Sequence, residues 1–144
     1  MDATCKTSFG MAVGDGLLSG YVFPIFDSKH NIIGISGRKI EKESKRPKWI
    51  HYGKKNKWIY PAFINTDSIK SKSEIILVES IGDMLSLWEA GITNCIVLFG
   101  VNLSDSILFY ILGLRVEKII IALNNDGENK AGNTAAKKIL EENQ

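Results

Sequence analysis

The spacing of apolar and polar positions changes near the middle of the chain. In the first half, short apolar runs alternate with polar turns. Tyr21-Val22-Phe23-Pro24-Ile25-Phe26 stops at Asp27-Ser28-Lys29-His30-Asn31, and Ile32-Ile33-Gly34-Ile35-Ser36 follows. Two such runs flanking a polar turn predict an antiparallel pair. Pro24 inside the first run predicts an edge or a bulge. Trp49-Ile50-His51-Tyr52 and Trp58-Ile59-Tyr60, separated by Gly53-Lys54-Lys55-Asn56, predict a further hairpin. Residues 20–70 therefore read as β-rich.

Beyond the polar stretch 65–73 the pattern alternates between strand and helix. A strand over 75–79 leads to a helix near 80–90 that closes at Gly91, then a strand over 94–99. A helix near 104–112 follows, with Ser104 as its N-cap and Gly113 at its end, then a strand over 117–123 and a helix over 131–142. This β-α-β-α-β-α order predicts an α/β fold, a parallel sheet with helices on its faces. The boundary between a small β-rich (α+β) subdomain and this second part is placed at 70/71, giving domains 1–70 and 71–144.

Acidic residues stand where two of these strands stop. Glu79-Ser80-Ile81-Gly82-Asp83 follows Ile75-Ile76-Leu77-Val78, and Asn124-Asn125-Asp126 follows Ile119-Ile120-Ile121-Ala122-Leu123. Parallel strands of one open sheet share a carboxyl edge, where ligands bind. Glu79, Asp83 and Asp126 would converge there, and converging carboxylates suit a hard cation such as Mg²⁺. Glu79 and Asp83 would share a helix face one turn apart. The competing explanation is that acids simply favour a helix N-terminus.

Charge adds a second feature. The chain has 144 residues and a net charge of +2, but the segment from Arg38 to Lys57 is near +7 and the remainder near −5. Its basic residues are Arg38, Lys39, Lys42, Lys45, Arg46, Lys48, Lys54, Lys55 and Lys57, opposed only by Glu41 and Glu43. A basic patch beside an acidic remainder suits a polyanion placed next to a metal site. Trp49, Tyr52, Trp58 and Tyr60 lie within or beside it. Such aromatics can stack bases, although Trp58 and Tyr60 read as core. His30 reads as a turn residue and His51 as a surface strand residue. Cys5 and Cys95 form no CxxC pair, which argues against zinc. No apolar run is long enough to span a membrane, and no signal-peptide pattern opens the chain, so a cytoplasmic protein is expected. The last residues run inside a helical pattern, which reads as a piece of a longer protein. No Walker A sequence is present, so the chain is no helicase motor.

The run from Glu79 to Gly91 resembles the glutamate motif of TOPRIM domains in bacterial and phage primases. Ala122-Leu123-Asn124-Asn125-Asp126, with Ala131 to Ala136 after it, resembles the DxD segment of that family and its following helix. Upstream, Tyr21 to Asp27, Asn31 to Arg38 and Pro47-Lys48-Trp49 resemble the basic N-terminal subdomain of the DnaG-type primase core. The resemblance covers roughly residues 9–142. It implies a DNA primase catalytic core that makes short RNA primers on single-stranded DNA during replication. It implies ribonucleoside triphosphates as substrates, Mg²⁺ or Mn²⁺ as cofactor, and a replicative helicase partner reached through regions outside this chain. Glu79 matches a catalytic glutamate, acting as general base or metal ligand, and Asp83, Asp126 and Asn124 match metal-binding positions. Arg38, Lys48, Trp49, Lys55 and Lys57 match positions that hold template or nucleotide. Asn124 stands where the family has the first Asp of DxD, which should lower metal affinity, and Ser80 stands where it often has Gly. The short, divergent form is similar to phage or mobile-element primases. Two other classes stay open: a TOPRIM nuclease or topoisomerase piece, and a non-catalytic single-stranded nucleic-acid-binding module with a degenerate metal site.

Overall fold

The computed structural model describes residues 12–14, 20–40 and 47–124, together with helical positions Thr134, Lys137, Lys138, Leu140 and Glu141. The chain divides into two compact units, Met1–Trp58 and Ile59–Gln144.

In the first unit, β1 (Ala12–Gly14), β2 (Gly20–Phe26), β3 (Ile32–Lys39) and β4 (Trp49–Gly53) form one antiparallel sheet in that order. The turn expected between β2 and β3 is fastened by Asp27, whose Oδ1 accepts the backbone N–H groups of Lys29 at 2.8 Å and Asn31 at 2.9 Å. His30 sits in this turn with φ 63°. Pro24 lies in an inner strand, yet its environment is locally that of an edge. β1 pairs only with residues 20–22, and the register shifts between Ile25 and Phe26. A residue without an N–H therefore costs little at that point.

The second expected hairpin does not form. β4 ends at Gly53, residues Lys55–Lys57 make a 3-10 turn, and Trp58 is fully buried. Its ring lies against Gly34, where a Cβ would come within 2.3 Å of the indole Cζ2. Burial of this ring, and not cross-strand pairing with β4, fixes the end of the unit. Tyr60 instead bridges to Val97 within the second unit.

The second unit opens with a helix that the sequence did not announce, α1 (Ala62–Lys72). Its inward face presents Asn65 and Ile69, a polar and an apolar residue one turn apart. The Asn65 amide donates to the Cys95 carbonyl at 2.8 Å, so a polar group occupies a core position and blurs the apolar stripe. The compact division at Trp58/Ile59 accordingly falls ahead of the expected boundary at 70/71, which lies inside α1.

The alternating elements follow: β5 (Glu74–Val78), α2 (Ile81–Glu89), β6 (Cys95–Val97), α3 (Asp105–Leu114) and β7 (Lys118–Ala122). The three strands are parallel in the order β6-β5-β7, the α/β arrangement expected. Ile69, Ile75, Leu77, Ile96, Leu98, Ile107 and Ile111 form the core between sheet and helices. Ser104 caps α3 as expected by accepting the Ile107 N–H. Gly113, however, is inside α3, which ends at Arg115 in the left-handed region. At the amino ends of the strands, Lys118 pairs with Glu74 at 2.8 Å, and Asn94 donates to the Glu74 carbonyl at 3.1 Å. The Lys118 bond holds the Glu74 carboxyl below its ordinary value. This clasp helps fix the register that aligns the opposite edge.

Candidate metal and nucleic-acid sites

Register decides what meets at the carboxyl edge. Val78 of β5 stands level with Val97 of β6 and Ala122 of β7, so the chain leaves all three strands on one side. Glu79 joins these exits. Its backbone carbonyl accepts the Gly100 N–H at 3.2 Å, from the segment after β6. Its Oε2 accepts the Asn124 N–H at 3.3 Å, from the segment after β7. Glu79 is half-buried and Asn124 exposed, so the edge is open to a ligand.

Asp83 is held differently from the expectation. Glu79 precedes the N-cap of α2, so the two acids do not share a helix face. The N-cap is Ser80, and Asp83 completes a capping box with it. Asp83 Oδ2 accepts the Ser80 N–H at 3.0 Å and the Ser80 hydroxyl at 2.7 Å, while the Asp83 N–H donates to Ser80 Oγ at 3.3 Å. The reciprocal bonds satisfy two donors that a helix start leaves open. Both bonds from Ser80 to the carboxylate fall on Oδ2, which leaves Oδ1 outside the capping box. Asp126 lies outside the described residues. Among the described residues no three His, Cys, Asp or Glu side chains gather as a metal centre.

The first unit carries the basic segment. Tyr21, Arg38 and Trp49 are direct cross-strand partners on β2, β3 and β4. The Arg38 guanidinium lies 5.4 Å from the Trp49 ring centroid, within cation–π range. Trp49 also meets Phe23 at 6.0 Å and stacks parallel to His51 at 6.4 Å. Contrary to the expectation of a surface residue, His51 is half-buried. It shares a 3.0 Å hydrogen bond between its Nδ1 and Ser36 Oγ, and Trp58 meets its ring edge-on. Burial, with a further contribution from Lys55, pushes the His51 pKa below 6.5. Nothing in the spacing of a lone histidine marked this role; its partner Ser36 is on a different strand. Lys48, Lys55 and Lys57 are exposed, the last two on the 3-10 turn. A turn concentrates their charge locally.

A Toprim domain model matches residues 73–144. The chain belongs to the Toprim family. Its relatives include DNA primases. The DNA primase of Mycoplasma pneumoniae is 34% identical over 131 residues, covering 86% of this chain and 20% of the relative. The solved zinc-binding and RNA polymerase domains of the Aquifex aeolicus primase superpose with a TM-score of 0.70 at 30% identity, covering 84% of this chain and 30% of that one. A DnaG primase catalytic domain solved bound to single-stranded DNA shares the fold, with a TM-score of 0.68 at 19% identity over 96% of this chain and 46% of that one. This Toprim chain is similar to part of the DNA primase catalytic core. It spans about a fifth of the curated primases that it matches.

Toprim domains and primases generally use a divalent metal. The donor chemistry at the Toprim edge fits one. Glu79 and Asp83 supply hard carboxylate oxygens, and Glu79 stands at the junction of the three strand exits. Asn124 is brought to the same edge, with an amide oxygen that carries no charge.

Proposed function

We propose that this chain is part of a metal-dependent primase catalytic core that joins ribonucleotides on a single-stranded DNA template. The observation that carries the reading is the Glu79 junction, where one carboxylate ties the exits of β5 and β7. Glu79 would accept the proton of the attacking 3′-hydroxyl or hold a cation, with Asp83, Asn124 and Asp126 completing the ligand set. Bound Mg²⁺ or Mn²⁺ would offset triphosphate charge and lower the pKa of the 3′-hydroxyl. Arg38, Lys48, Lys55 and Lys57 would take template and nucleotide phosphates, with Trp49 among them. The solved DnaG domain bound to single-stranded DNA supports this assignment of partner. In the full-length protein, ribonucleoside triphosphates would be the substrates and a replicative helicase the partner. Among the described residues no helix is long and apolar enough to cross a membrane, in keeping with work in the cytoplasm.

Calorimetry with Mn²⁺ tests the reading directly. Binding by the parent chain that disappears in Glu79→Gln is the expected result. Primer synthesis by the full-length protein should vanish with the same substitution. A parent that takes up no metal at millimolar concentration, yet binds single-stranded DNA, would favour a second reading: a non-catalytic nucleic-acid-binding module. The uncharged Asn124 and the engaged Asp83 carboxylate are the observations on its side.

A further inference from the structure

We infer that Tyr21 is a base-stacking residue, and that Tyr21, Arg38 and Trp49 divide one nucleotide between them: Arg38 takes the phosphate, Tyr21 the base beside it, and Trp49 holds the guanidinium. The inference rests on the reading that the first unit binds single-stranded template.

Three cross-strand rows run along one face of this sheet. The first joins Ile25, Gly34 and Gly53, the second Phe23, Ser36 and His51, and the third Tyr21, Arg38 and Trp49. Direct cross-strand partners point the same way. The Phe23–Trp49 and His51–Trp58 ring contacts show that the rows share a face. Along β2, exposure rises from Ile25 and Phe23, both buried, to Tyr21. Trp58 lies against the first row, the second has Phe23 and Ser36 buried, and in the third Tyr21 is 36% exposed.

Within the third row the partners differ in chemistry. Arg38 lies over the Trp49 ring, and Trp49 is already engaged by Phe23 and His51. A guanidinium stacked by its face keeps its N–H fork in the plane, where it can grip a phosphate. Tyr21 stands one strand away on the other side of Arg38, about 5 Å off in strand spacing. An aromatic ring next to a phosphate-gripping cation is the arrangement on which single-stranded bases stack. Exposure on the edge of a buried row is a poor setting for a ring whose only task is packing. The chemistry recognised is a single-stranded polynucleotide, because a duplex keeps its base faces covered.

Fluorescence anisotropy with labelled oligo-dT and a matching abasic oligomer tests this. Tyr21→Leu should weaken oligo-dT binding about five-fold or more and leave the abasic oligomer unchanged, while Tyr21→Phe keeps full affinity. Arg38→Gln should weaken both oligomers. If Tyr21→Leu changes nothing, or weakens both ligands equally, the stacking role is overturned. Loss with Arg38→Gln in that case leaves the template reading standing. If the parent chain binds neither oligomer, or if Arg38→Gln binds both as tightly as the parent, the template reading falls as well.

Discussion

At the scale of single residues, Ser80 has the most direct bearing on the metal reading. Its hydroxyl donates to the carboxylate oxygen of Asp83 that already accepts a backbone N–H. A hydroxyl in that position competes with a cation for the acid. Glycine at an N-cap costs only a few tenths of a kcal/mol relative to serine, so Ser80→Gly removes the competitor while keeping the helix start. We expect Ser80→Gly to bind Mn²⁺ about three-fold more tightly or better by calorimetry, the effect of losing roughly one modest hydrogen bond, with the melting temperature nearly unchanged. Equal affinities for the two proteins would show that Ser80 serves the helix alone. The sequence made Glu79 and Ser80 stand out at a strand end. It could not show that Asp83 turns back towards the N-cap, because a four-residue spacing fits both a shared face and a cap. His51 was misplaced for a similar reason: burial by Trp49, Trp58 and Ser36 depends on strand pairing, which local spacing does not encode.

Elements tell a complementary story. The regular βα alternation of the second unit was legible, because each strand is a short apolar run and α2 and α3 have capping residues, Ser80 and Ser104. α1 was hidden because Asn65 holds one of its two fully buried positions. The failed hairpin at Trp58 has a different cause. Three aromatic or β-branched residues after a polar turn look like a strand, but the Trp58 indole is fully buried against two glycines, Gly34 and Gly53, and the segment does not pair with β4. Gly34→Ala places a methyl inside the indole's space, and Trp58, being fully buried, has little room to retreat. A loss of about 1–3 kcal/mol is expected from chemical denaturation of that variant, with Trp58 becoming more exposed to a fluorescence quencher. A stability equal to the parent's would mean that the ring shifts freely.

For the whole molecule, the decisive property is the separation of charge. The segment from Arg38 to Lys57 holds half of the chain's eighteen Lys and Arg residues, and the acids at the strand exits belong to the other unit. If the exposed lysines of the 3-10 turn hold phosphates, oligo-dT affinity should fall with salt. The log–log slope should shrink by about 0.7 for each contact removed, and so by about 1.4 in a Lys55→Gln, Lys57→Gln double variant. An unchanged slope would take those lysines off the template path. The strand order carries one more implication. β5 lies next to β7, yet α2, β6 and α3 intervene along the chain, so the Glu79–Asn124 bond joins residues 45 positions apart. Contacts of such long range close slowly and late. A nascent chain leaving the ribosome therefore displays its complete glutamate motif well before Asn124 can reach it, and the Glu79 junction has to wait for β7 to be made.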